Sequence, residues 1–158
     1  MDKETGFALW ESRAIMKYLV DKVSPGHSLY PKDLKTRASI DRWLYFDIGS
    51  FGPVLHVLMK TAFLQQQPLK EADVASMDDK LKVLNDALVG RKYLVSEQRT
   101  LADLALIVMV TLLEVVHDID ESRFEHLTNW KEGLKQELPY FDEIIGNGLT
   151  MTLEFTKQ

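Results

Sequence analysis

Glu11-Ser12-Arg13 stands where a short apolar run gives way to a helical pattern. Backbone amides at a helix start converge with the positive end of the dipole and make a ready carboxylate site. The Ser12 hydroxyl adds a donor for that carboxylate, and Glu11 offers a negative charge to a neighbouring ammonium. Together the three could hold an amino-acid head group by both of its charges. The same residue types also serve as plain helix caps, so spacing alone leaves both readings open. Thr100-Leu101-Ala102-Asp103 is a second constellation, in which the Thr100 hydroxyl and the Asp103 carboxylate can each take the other's backbone amide as a capping box. Its role is in folding. His27, His56, His117 and His126 have no metal-ligand spacing, and no HExxH, GxSxG or P-loop occurs, so no metal site is expected. Asp78-Asp79 and the pair Asp118 and Asp120 read as solvated charges.

The elements that must position these residues follow from hydrophobic period. Gly6–Trp10 reads as a strand, and Ile15, Met16, Leu19, Val20 and Val23 mark one face of a helix. Residues 24–33, with two prolines and a glycine, form a linker. A helix from Leu34 carries Ile40, Trp43, Leu44, Ile48 and Phe51 inward. Gly52-Pro53 either kinks it or divides it before Val54–Leu64. Tyr45 belongs to the same aromatic cluster as Trp43, Phe46 and Phe51, whose outward members could line an apolar pocket. Further helices are expected at Lys70–Val89, capped by Gly90, around Phe124–Leu134, and at Pro139–Ile145. Leu101–Val116 has only Asp103, Thr111 and Glu114 as polar residues. At sixteen residues it is too short to span a membrane, so it is the central helix of an all-α bundle. The lone strand either pairs with another molecule or lacks the rest of its sheet.

The 158 residues, 46% hydrophobic and 27% charged, fit an ordinary globular chain rather than a disordered one. A net charge of −5 without a basic run argues against nucleic acid as a partner. The absence of cysteine excludes disulfide scaffolds, thiol redox chemistry and thiolate-ligated zinc. Met1-Asp2-Lys3-Glu4 has no long apolar stretch behind it, so no secretory signal is read and a cytoplasmic location is expected, with no membrane partner.

FALWESRAIMKYLVDKVSPGHSLYPKD, followed by RASIDRWLYFDIG, resembles the insect delta and epsilon branch of the cytosolic glutathione transferases. RTLADLAL and LTNWKEGLKQELPYFDE match in the same order. The resemblance implies three parts. Residues 1–23 would be a strand-and-helix remnant of a thioredoxin-like glutathione-binding domain, 24–33 a linker, and 34–158 the family's all-helical C-terminal domain. It implies glutathione as a substrate rather than a cofactor, hydrophobic electrophiles as its acceptors, detoxification as the role, and a homodimer. Glu11, Ser12 and Arg13 would contact the γ-glutamyl head, and Asp47 would approach its ammonium from the partner subunit. Phe51, Leu55 and Met59 would face the second-substrate pocket. No residue matches the family's catalytic serine or tyrosine, so this chain alone is expected not to conjugate. The alternative is a non-catalytic helical module, derived from a transferase, that binds apolar ligands or partner subunits.

Overall fold

Helix α1 (Ser12–Val23) leads through a loop into a helix that stays right-handed from Leu34 to Leu64. That long helix comprises α2 (Leu34–Phe46), a π-helical turn at Asp47–Phe51, α3 (Gly52–Met59) and a second π-helical turn at Lys60–Leu64. After it come α4 (Glu71–Ala87), α5 (Leu101–Leu113), α6 (Glu125–Glu137) and a last π-helical turn at Asp142–Gly146. This computed structural model describes residues 1–147. The tail beyond Asn147, and with it the end of the expected 34–158 domain, lies outside the described residues.

Gly52-Pro53 does not divide the long helix. Pro53 has no N–H, and its ring would crowd the carbonyl one turn back in a regular helix. The preceding turn is widened instead: the Gly52 amide donates to the Asp47 carbonyl, five residues behind. A Cβ at position 52 would stand 3.1 Å from that same carbonyl, so glycine is what lets the wide turn close.

Helix α5 is the centre of the bundle. Leu106, Ile107, Val110 and Leu113 are buried against α2, α3 and neighbouring helices. Met77, Leu81 and Leu84 of α4 and Leu127, Trp130 and Leu134 of α6 complete the core. Burying each such leucine contributes about 2 kcal/mol, which explains why a sequence apolar on nearly every face takes the middle position. The helix ends at Leu113 because the next amides, of Val115 and Val116, tighten onto carbonyls three residues back.

The start of α5 is fixed by a reciprocal capping box between Thr100 and Asp103. The Asp103 carboxylate accepts the Thr100 amide at 2.8 Å and the Thr100 hydroxyl at 3.1 Å. It also accepts the Leu94 amide at 2.9 Å and the Trp130 indole N–H at 3.0 Å. Four donors thus surround a wholly buried charge, the condition under which such a charge is tolerated.

The expected strand at Gly6–Trp10 is not formed among the described residues. The chain instead turns at residues 2–7, with the Asp2 amide donating to the Phe7 carbonyl at 2.8 Å and the Gly6 amide to the Asp2 carbonyl at 2.9 Å. The Asp2 carboxylate takes the Tyr18 hydroxyl and the Lys22 ammonium, anchoring this turn to α1. A strand exists only through a neighbour's ladder of hydrogen bonds, and no second strand lies beside Ala8, Leu9 and Trp10 among the described residues.

Candidate functional site

The middle and last turn of α1 are tied to the loop and to α2. The Tyr30 hydroxyl donates to Asp41 at 2.9 Å, and the Arg37 guanidinium lies 4.0 Å above the Tyr30 ring. Arg37 also donates to Asp21 at 2.7 Å, and Lys17 pairs with Asp41 at 3.3 Å. Residues of α1, the loop and α2 are therefore cross-linked one turn after another. Burial and the Asp41 bond push the Tyr30 hydroxyl up to about 12.

One turn before Lys17, Arg13 stands against Asp47. The guanidinium Nε and Nη2 both engage the Asp47 carboxylate of the same chain, and Nη1 donates to the Ser12 hydroxyl at 2.9 Å. Asp47 therefore pairs with its own chain's Arg13. Its side chain is fully buried. Burial raises its carboxyl above the ordinary range, against the opposing pull of Arg13. Among the described residues Asp47 Oδ1 has no hydrogen-bond partner, and neither does the indole N–H of Trp43, one turn earlier on the same helix.

Glu11 carries the other distinctive feature. Its backbone sits at φ 69° and ψ 105°, a conformation that costs a non-glycine residue about 1–3 kcal/mol. Among the described residues no side chain caps α1, so the amides of its first turn are left for something else to satisfy. Glu11, Ser12 and Arg13 thus come together as one corner: a strained residue, an exposed hydroxyl, uncapped amides and a guanidinium held by a buried carboxylate. Next to them, Tyr45 and Ile48 line a cleft of about 190 Å³ with Glu11, Arg13 and Lys17. The outward position of Tyr45 is the one the aromatic cluster allowed for; nothing in the sequence pattern signals Lys17.

Phe51, Leu55 and Met59 are not gathered in a pocket. Phe51 and Leu55 are buried in the core, and only Met59 keeps a partly exposed side chain. Their spacing of four puts all three on one helical face, and that face turns inward onto α4 and α5. A wholly apolar groove of about 310 Å³ lies elsewhere, between Leu104 and Val108 of α5 and the segment carrying Leu138, Tyr140 and Ile144. Among the described residues no cluster of histidine and carboxylate side chains could hold a metal ion.

A central buried helix with a capping box, surrounded by an all-helical bundle and preceded by a strained, uncapped helix start, defines the class. The glutathione S-transferase C-terminal domain model matches residues 50–137. A glutathione transferase of Bombyx mori is 34% identical and superposes with a TM-score of 0.87, over 96% of this chain and 70% of its own. An epsilon-class glutathione S-transferase from the housefly Musca domestica is 33% identical, with a TM-score of 0.86 over 97% of this chain and 71% of its own. A delta-class glutathione transferase of Nilaparvata lugens is 32% identical, with a TM-score of 0.86 over the same shares of the two chains. The chain belongs to the glutathione S-transferase family.

Proposed function

We propose that this chain takes part in conjugating glutathione to hydrophobic electrophiles, with the Glu11–Ser12–Arg13 corner holding the γ-glutamyl head. The observation that carries this reading is the pairing of an uncapped helix start with a strained Glu11 and an Arg13 locked to buried Asp47. The head group's carboxylate meets the α1 amides and the Ser12 hydroxyl, and its ammonium meets Glu11. Asp47 positions Arg13 and, through it, the hydroxyl of Ser12. On this reading residues 1–23 are the thioredoxin-like part, 24–33 the linker and 34–158 the helical domain. The protein works as a cytoplasmic homodimer in detoxification.

No side chain of the chain is assigned to activating the glutathione sulfur. Ser12 is bonded to Arg13 and serves the opposite end of the tripeptide. Without an aimed hydroxyl, only a few per cent of a free thiol is thiolate at neutral pH. The chain alone is therefore expected to give no conjugation of a chloronitrobenzene above the uncatalysed rate. Conjugation by these 158 residues alone would show that the catalytic hydroxyl lies among them.

The apolar groove at Leu104, Val108 and Ile144 favours the second reading, a non-catalytic module that binds apolar ligands. Neutral hydrophobic ligands that compete with one another, and are indifferent to glutathione, would support it.

A further inference from the structure

Two buried polar atoms behind the α1 corner lack partners of opposite kind. The indole N–H of Trp43 can only donate, and Asp47 Oδ1 accepts, yet neither has a hydrogen bond among the described residues. Buried groups of this sort are normally paired, because an unmade bond costs the full desolvation of the group. Both residues are buried. They stand four apart, and the Asp47 amide donates to the carbonyls of Trp43 and Leu44, so their side chains share one helical face. The indole is held in place on that face. Phe46 meets it edge-on at 5.4 Å, and the Arg42 guanidinium lies 5.1 Å over its ring.

We propose that one bridging water joins the Trp43 N–H to Asp47 Oδ1, and that Trp43 is thereby a positioning residue of the glutathione corner. The proposal rests on the reading of Glu11, Ser12 and Arg13 as the head-group site. The water accepts from the indole and donates to Oδ1, so a single molecule serves both orphaned atoms. Asp47 then has a donor on each oxygen, with Oδ2 engaged by Arg13. A carboxylate held at both oxygens keeps its orientation, and with it the guanidinium that donates to the Ser12 hydroxyl. Arg13 is the charged group in contact with Asp47, and Arg42 lies over the indole. Helix α5 packs on the same turn and has no ionisable side chain between Asp103 and Glu114. Helix α4 packs there as well, and the side chains it buries are those of Met77, Leu81 and Leu84. A hydrogen bond to the ionised form favours it, so the link to Trp43 opposes the effect of burial on Asp47.

The test follows the Asp47 carboxyl carbon by NMR through a pH titration, and glutathione binding by calorimetry, in wild type and Trp43→Phe. Trp43→Phe should move the Asp47 midpoint upward, a change that a merely structural role for the ring would not produce. It should also weaken glutathione about fivefold at neutral pH, within the range for side chains coupled in one network. In wild type the Trp43 indole N–H resonance should shift with the Asp47 titration. Should Trp43→Phe misfold, benzothienylalanine at position 43, which keeps the fused ring and lacks the N–H, should give the same two changes. An unchanged midpoint in the folded replacement would overturn the link between Trp43 and Asp47. A raised midpoint with glutathione affinity within twofold of wild type would overturn the positioning role. Wild type that binds no glutathione would overturn the head-group reading and that role together, while the midpoint still decides the link.

Discussion

The indole N–H of Trp130 donates to the carboxylate of Asp103 across 3.0 Å, and so ties α6 to the first turn of α5. Removing that carboxylate strands the Leu94 amide, the Thr100 amide and the indole together. Asp103→Ala should therefore lower the free energy of unfolding by about 3 kcal/mol or more, since each buried donor left unsatisfied costs about 1–3 kcal/mol. Thr100→Ala, which leaves three of the donors in place, should cost about 1 kcal/mol. Urea denaturation of both variants checks the order, and a wild-type midpoint for Asp103→Ala would refute the role of the carboxylate as a hub.

Part of this was legible in sequence. Thr100 and Asp103 stand three apart before an apolar run, so the capping box and the buried helix follow from local pattern. Trp130 is a partner only because α6 folds back on α5, and no local spacing shows that. Phe51, Leu55 and Met59 show the same limit: period identifies their shared face, but whether it lines a pocket or the core depends on what packs there. Whether Gly52-Pro53 kinks or divides the helix stayed open in sequence, because a π-turn changes the register in which proline is tolerated. A strand at Gly6–Trp10 has the right composition, yet composition supplies no neighbour.

Asp47 makes stability depend on acidity. Its folded carboxyl is raised by burial, so the folded state holds a proton more tightly than the unfolded chain does. Its contribution is fully present below the ordinary value of 3.8 and is lost as pH rises through the higher folded value. The stability of Asp47→Asn relative to wild type should consequently be higher at neutral pH than near pH 4, the ordinary carboxyl range. Unfolding curves at neutral and acid pH give the comparison; a variant that improves on wild type as pH falls would contradict it.

Tyr30 should act at the other end of the scale. Because its hydroxyl is pushed up to about 12, the folded state keeps a proton that the unfolded state releases near 10. Stability should fall as pH rises between those values. Tyr30→Phe should remove that slope and, by deleting the bond to Asp41, cost about 1 kcal/mol at neutral pH. An unchanged alkaline slope in the variant would assign it to other groups.

Homodimerisation has a surface available to it. Trp10 and Tyr45 are 78% and 66% exposed, and Leu19 and Ile48 are also open to solvent. Light scattering at micromolar concentration should report dimers or larger species, and Tyr45→Glu with Ile48→Asp should shift them to monomer. A monomeric wild type throughout that range would remove the dimer from the account.

The glutathione corner is tested most directly by calorimetric titration of glutathione into wild type and Ser12→Ala, with the dipeptide Cys-Gly as competitor. Ser12→Ala should weaken glutathione about tenfold, as one hydrogen bond to a charged group is worth about 1.5–3 kcal/mol. Cys-Gly, which lacks the γ-glutamyl head, should not compete. Glutathione binding that is unchanged in Ser12→Ala, or displaced by Cys-Gly at similar concentration, would contradict the reading of Glu11, Ser12 and Arg13 as the head-group site.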